Sequence, residues 1–235
     1  MNLKKAISWL LVLMMMFSLC ACGDQTPDPT EPEQTTPVTD LPDDVNNQTA
    51  FLGNNLYITN VLQYTGAYME DGSDEVVTDV LMIILKNENE LPLQLARISL
   101  EYADFTANFE ATNVPAGASV VLLEKSRHEY VPDNFYHATA DNVVFFQEDM
   151  SLQEDKLKIT GTNGALTVEN LTDEDMGEIY IYYKNTASDG LFYGGITYRA
   201  RVDAGLMAGK STTVMTRHYY ANACTVVNVQ IMPVE

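Results

Sequence analysis

The sequence predicts an all-β protein: two tandem β-sandwich modules behind a disordered stalk. Three observations lead there. No stretch beyond Phe51 sustains a 3.6-residue apolar period for three turns, whereas short runs of β-branched and aromatic residues bounded by Gly, Asn, Asp and Pro recur throughout. Several dipeptides of the first half return in the same order in the second half. The first fifty residues have the composition of an address and a tether rather than of a packed domain.

In order along the chain, Lys4 and Lys5 precede an apolar stretch from Ala6 to Leu19 that is too short to span a bilayer comfortably. Residues 1–21 therefore read as a signal peptide. Residues 22–50 hold five of the nine prolines, are rich in Asp, Glu and Thr, and carry no base. Such a segment cannot bury enough surface to offset the entropy of ordering, and coil statistics give it a reach of roughly 30 Å. Residues 51–149 and 150–235 are the two expected modules. Candidate strands are Leu56–Tyr64, Asp79–Lys86, Leu93–Tyr102, Ser119–Lys125 and Asn142–Phe146 in the first. Those of the second are Lys156–Thr160, Ala165–Glu169, Glu178–Lys184, Gly195–Val202, Ser211–His218 and Ala223–Met232. The unbroken apolar run Val80 to Leu85 predicts a central strand buried on both faces. Between Leu95 and Ile98 the apolar phase flips from odd to even positions, the mark of a bulge or a crossing between sheets.

The repeat pairs Lys86-Asn87 with Lys184-Asn185, Ile98 with Ile196, Ala116-Gly117 with Ala208-Gly209, and Arg127-His128 with Arg217-His218. Each module then has the size of a small sandwich.

Two resemblances follow. Leu19-Cys20-Ala21-Cys22-Gly23, after a charged start and an apolar core, resembles the lipobox of bacterial lipoproteins. That resemblance implies cleavage before Cys22, a diacylglyceryl group on its thiol, fatty-acid chains such as palmitate, and an extracytoplasmic membrane location. Two acyl chains suffice for stable anchoring. A strand ending in Lys-Asn, a polar loop, an Ile-x-apolar-x-Tyr strand and an Ala-Gly-x-Ser turn resemble the immunoglobulin-like modules of bacterial surface lipoproteins of the FxLYD type, which implies an accessory role without catalytic residues. The Tyr-Asp-x-x-Gly typical of that family is missing: Tyr102-Ala103-Asp104 and Tyr198-Arg199-Ala200 stand in its place.

Charge narrows the partners. With 33 acidic against 13 basic residues and a formal charge of -20, the chain repels phosphate backbones, and no nucleic acid is expected. Removal of the signal would leave Cys224 as the one free thiol. His218 and Cys224 flank a short segment and are the one arrangement able to pair a thiol with a base, but Arg127-His128 recurs without a cysteine, which favours a scaffold role for both. Acid clusters at Asp71 to Glu75 and Asp173 to Asp175 lack a calcium-loop pattern and read as turns. No cofactor is expected. Tyr180, Tyr182, Tyr193 and Tyr198 lie in the most aromatic part of the chain and form the candidate binding surface, for an envelope protein or a glycan. The reading is thus a non-catalytic binding or spacer module. A surface enzyme around His218 and Cys224, or a carbohydrate receptor on the Tyr180 and Tyr182 face, is the alternative.

Replacing Cys22 by Ser is expected to move the protein out of the membrane fraction or to leave it unprocessed, with Lys4 and Lys5 still attached. Fractionation with mass spectrometry of the amino terminus checks this, and a normally processed, still membrane-bound variant would contradict it.

Overall fold

A computed structural model describes residues 49–132, 136–187 and 190–234 and contains thirteen strands among them. The expected signal peptide, Cys22 and nearly all of the expected stalk lie outside the described residues. The fold is all-β.

The apolar run Val80 to Leu85 sits in β3 (Val76–Asn87), between β2 (Leu56–Ala67) and β6 (Ser119–Leu123), and every one of its six residues is buried. Alternation sends Leu81, Ile83 and Leu85 into a core with Leu56, Ile58, Ile98, Leu100 and Phe109. Val80, Met82 and Ile84 enter a second cluster on the opposite face, with Leu62, Tyr64, Tyr68, Met69 and Leu123. A strand covered on both sides has no polar face, which is why its sequence shows no alternation. The short β1 (Ala50–Gly53) pairs with β2, so Ala50, the last residue of the expected stalk, already belongs to the sheet.

The facing layer of the first module is β5 (Thr106–Val114), β4 (Leu93–Glu101) and β7 (His137–Phe145), in that spatial order. The phase flip in β4 is a bulge. Its register with β7 shifts between Leu93 and Leu95 and again between Leu95 and Arg97, and the buried positions change from Leu93 to Ala96, Ile98 and Leu100.

In the second module β8 (Leu157–Thr162), β9 (Ala165–Asn170) and β12 (Ser211–Met215) form one layer, and β10 (Ile179–Thr186), β11 (Phe192–Val202) and β13 (Cys224–Ile231) form the other. The two modules share one topology. Counted from β2 in the first and β8 in the second, the second strand lies between the first and fifth, and the third lies between the fourth and sixth. Their registers superpose through two asparagines. Asn87 ends β3, donates its backbone N–H to Ala118 O, and spreads its side-chain amide over Leu91 O, Val114 O and Pro115 O. Asn170 ends β9, donates to Lys210 O, and reaches Glu174 O and Leu206 O. Both are fully buried, and each ties the loop after its strand to the turn that opens the fifth strand.

This corrects half of the repeat. Ala116-Gly117 and Ala208-Gly209 occupy equivalent turns, with Gly117 and Gly209 at positive φ, and the two Arg-His pairs follow equivalent strands. Lys184-Asn185, however, lies on β10, the counterpart of β4, so it is not the equivalent of Lys86-Asn87 on β3. Ile98 and Ile196 likewise fall on the non-equivalent β4 and β11. Position at a strand end, not the Lys-Asn dipeptide, carries the structural role.

The modules are fused through a common sheet. The edge of β6 takes β11 as a parallel neighbour, with Val120 opposite Phe192 and Val121 opposite Tyr193, which gives a seven-stranded sheet in the order β1-β2-β3-β6-β11-β10-β13. At the junction β11 bulges: its register with β10 jumps from Tyr183 opposite Tyr198 to Asn185 opposite Tyr193. Gly194 has φ +83°, and a Cβ on Gly195 would stand 1.7 Å from Glu110 O of β5. No side chain fits there. Gly195→Ala is therefore expected to cost about 3 kcal/mol or more, against about 1–2 kcal/mol for Gly117→Ala, whose Cβ meets open space and only the positive φ opposes. Urea denaturation midpoints of the two variants check the order.

Candidate functional site

On β10, Ile179, Ile181 and Tyr183 point into the second module's core, leaving Tyr180 and Tyr182 on the opposite face, partly exposed. Tyr180 lies across from Arg201, and Tyr182 from Arg199. The guanidinium carbons of Arg199 and Arg201 stand 5.3 Å and 5.6 Å from the centre of the Tyr180 ring, within cation–π range. Arg201 is held in turn by Glu178 and by Asp203 at 2.8 Å. The Tyr180 hydroxyl donates to Glu178 Oε2 at 2.8 Å; that bond holds the Glu178 carboxyl below its usual range and pushes the phenol above its own. Tyr182 donates to Gln230 Oε1 at 3.2 Å and leans against the first module's core.

The other two tyrosines of the expected surface are elsewhere. Tyr198 is the cross-strand partner of the inward Tyr183 and stacks between Tyr183 at 5.5 Å and His218 at 4.8 Å, and burial raises its pKa. Tyr193 is buried in the cluster behind β3. The bulge between these two residues is the reason: it turns the start of β11 toward the first module and the rest toward the second. The candidate surface thus reduces to Tyr180 and Tyr182, with Arg199, Arg201 and Gln230 beside them.

His218 and Cys224 do not form a pair. His218 Nδ1 lies 3.2 Å from Asp74 Oδ2, in the β2–β3 loop of the first module. The buried Cys224 thiol donates to Asn185 Oδ1 at 3.2 Å or His218 O at 3.3 Å and accepts from Tyr220 N–H, and burial pushes its pKa up to about 11. The equivalent His128 sits 3.2 Å from Glu124 Oε2 and stacks on Phe105 at 4.6 Å, as His218 stacks on Tyr198. Both histidines thus stack on an aromatic ring and approach a carboxylate.

The acid clusters are also structural. Asp71 and Glu75 grip Arg127 at 3.1 Å and 2.8 Å, Asp71 folds back onto Ser73 N–H, and Asp175 accepts from Ala208 N–H. Among the described residues no group of three or more His, Cys, Asp or Glu is placed to hold a metal ion.

Sequence reasoning missed the polar groups buried at the junction. Lys184 is wholly buried, and its Nζ donates among Thr112 O at 3.0 Å, Gly195 O at 3.2 Å, Ile196 O at 2.7 Å and Thr197 Oγ1 at 3.4 Å. Desolvation pulls its pKa down, while the Glu70 carboxylate opposes that fall. Glu70 is raised by desolvation, against the N–H groups of Leu123 at 2.9 Å and Gly195 at 3.0 Å on its Oε1. Glu124, with no exposure, accepts from the N–H groups of Asn108, Ser126 and His128. Beside these groups is a cleft of about 390 Å³ lined by Tyr68, Glu70, Asp71, Lys125, Ser126 and Arg127, with Arg127 stacked 4.4 Å over the Tyr68 ring. Lys184 falls in phase with Tyr180 and Tyr182, on the face that alternation sets outward, so its burial left no signal in the strand pattern.

Comparison with known proteins found no matching family model, no similar curated protein and no similar solved structure.

The Cys224 thiol is expected to react slowly at neutral pH and to accelerate only as pH approaches 11. Its raised folded pKa means that its small stabilising contribution is complete below the unfolded value of 9.0 and is lost as pH rises through about 11. Stopped-flow labelling from pH 7 to 10 checks the rate, and rapid labelling at pH 7 would contradict the burial argument.

Proposed function

We propose that this chain is a non-catalytic, lipid-anchored envelope protein on the extracytoplasmic face of a bacterial membrane. Its paired immunoglobulin-like modules act as a stiff binding body at the end of an acidic tether. The lipobox ending at Cys22 and the Pro-rich segment behind it support the anchor and the tether. The observation that carries the binding role is the outward face of β10 and β11. There Tyr180 and Tyr182 stay partly exposed, with Arg199, Arg201 and Glu178 against Tyr180 and Gln230 against Tyr182. Preset aromatic and Arg side chains give contact area at little entropic cost, which suits recognition of an envelope protein or a glycan.

The test is made on the anchored protein in cells. A photo-crosslinking side chain at position 180 or 182 should yield a discrete adduct, and one at the buried position 193 should not. With the crosslinker at 182, adding Arg199→Ala and Arg201→Ala should reduce the adduct severalfold. Equal yields from 180, 182 and 193, or none from 180 and 182, would contradict the proposed face.

A further inference from the structure

The shared topology marks a second docking edge. Ser119 of β6 lies opposite Lys86, and Ser211 of β12 lies opposite Glu169, so Ser119, Val121 and Leu123 correspond to Ser211, Thr213 and Met215. On β6 the outward edge is filled. Val121 runs beside Tyr193 of β11, and Leu123 N–H is taken by the Glu70 carboxylate. On β12 the corresponding edge is open. Lys210 O accepts from Asn170 of β9 and Thr216 N–H donates to Gly164 just before it, so alternation turns the N–H and C=O groups of Ser211, Thr213 and Met215 away from β9. β12 ends its sheet, and no other described strand pairs with it.

This edge also lacks the usual protection. The strand Ser-Thr-Thr-Val-Met carries no charge, no proline and no bulge, and Met215 is 81% exposed. Three of the other edges are better guarded. Backbone groups of β5 are taken by Glu124, Lys125 and Lys184, β13 is bonded by Ser151, and β7 contains Asp141 and the positive-φ Asn142.

Charge indicates what the edge receives. Lys210 and Arg217 frame β12 at its two ends, both exposed and with no ion-pair partner among the described residues, in a chain where acids outnumber bases by 33 to 13. A second copy paired antiparallel about Thr213 would set Gly209 opposite Arg217 and Thr216 opposite Lys210, and its segment 209–217 contains no acid, so a second copy offers neither cation a partner.

We propose that the β12 edge takes an extended acidic peptide segment of a partner protein by strand addition, as β6 takes β11. Backbone bonds to Ser211, Thr213 and Met215 would hold it, and acidic residues at its ends would meet Lys210 and Arg217.

A fluorescent synthetic peptide of alternating Val and Thr, with two Glu at each end, is titrated by anisotropy against the full chain in mild detergent. Thr213→Pro removes one outward N–H and no backbone bond to β9, losing there only the exposed Thr213 Oγ1 to Thr167 Oγ1 bond of 2.9 Å, so it should weaken binding at least tenfold and lower the thermal midpoint only slightly. Lys210→Glu with Arg217→Glu should abolish binding of this peptide and create binding of the version with Lys ends. No binding to the wild type, or equal binding to wild type and Thr213→Pro, would overturn the proposal. A concentration-dependent dimer of the chain alone, lost in Thr213→Pro, would overturn it in favour of a second copy. If Thr213→Pro proves unfolded, the charge-reversed pair decides: an unchanged preference for Glu ends overturns the proposal. The outcome does not depend on the Tyr180 and Tyr182 face.

Discussion

A lysine ammonium without water is costly unless each of its hydrogens finds an acceptor, and Lys184 is placed where the two modules supply them jointly. Thr112 O comes from β5 of the first module; Gly195 O, Ile196 O and Thr197 Oγ1 come from the bulge of β11 in the second. Glu70, from the first module's β2–β3 loop, grips the N–H of the same Gly195 whose carbonyl Lys184 holds. The glycine is thus clamped from both sides, and its missing Cβ is what lets β11 pass Glu110 O. The parallel pairing with β6, the burial of Tyr193 and the turning of Tyr198 toward the second core all depend on that passage.

The clamp explains why the assembly acts as one body and not as beads on a string. One sheet crosses the junction, and His218 adds a second tie by approaching Asp74 on the first module. The described residues fall within a single compact unit. Such fusion gives a face on one module a fixed direction relative to the other, so less entropy is lost when that face is contacted.

Much of the architecture was legible because it rests on strand periodicity. The run Val80 to Leu85 announced a doubly covered strand, and the flip at Leu95 announced a bulge. β5 escaped notice because its buried face is largely small, with Ala107 and Ala111 around Phe109, against Thr, Asn and Glu outside. The repeat was visible, but its register was not. Lys184-Asn185 copies the letters of Lys86-Asn87, while the job of Asn87, tying a loop to a turn, falls to Asn170 after a different neighbour. Tyr180 and Tyr182 share one strand face, as their spacing of two requires. Tyr193 and Tyr198 were misplaced because two consecutive glycines let one strand turn from the first module to the second, which no periodicity records. The Lys184 and Glu70 clamp, a partnership of residues far apart in the chain, had no local signature.

Differential scanning calorimetry of the wild type beside Lys184→Met tests the clamp most directly. If the buried ammonium fuses the modules, the wild type unfolds in one transition whose calorimetric and van't Hoff enthalpies agree. Lys184→Met should separate it into two, with the second module melting first and about 1–3 kcal/mol lost from its stability, the usual cost of leaving buried acceptors without their donor. Two resolved transitions already in the wild type, or a single unshifted transition in Lys184→Met, would contradict the account.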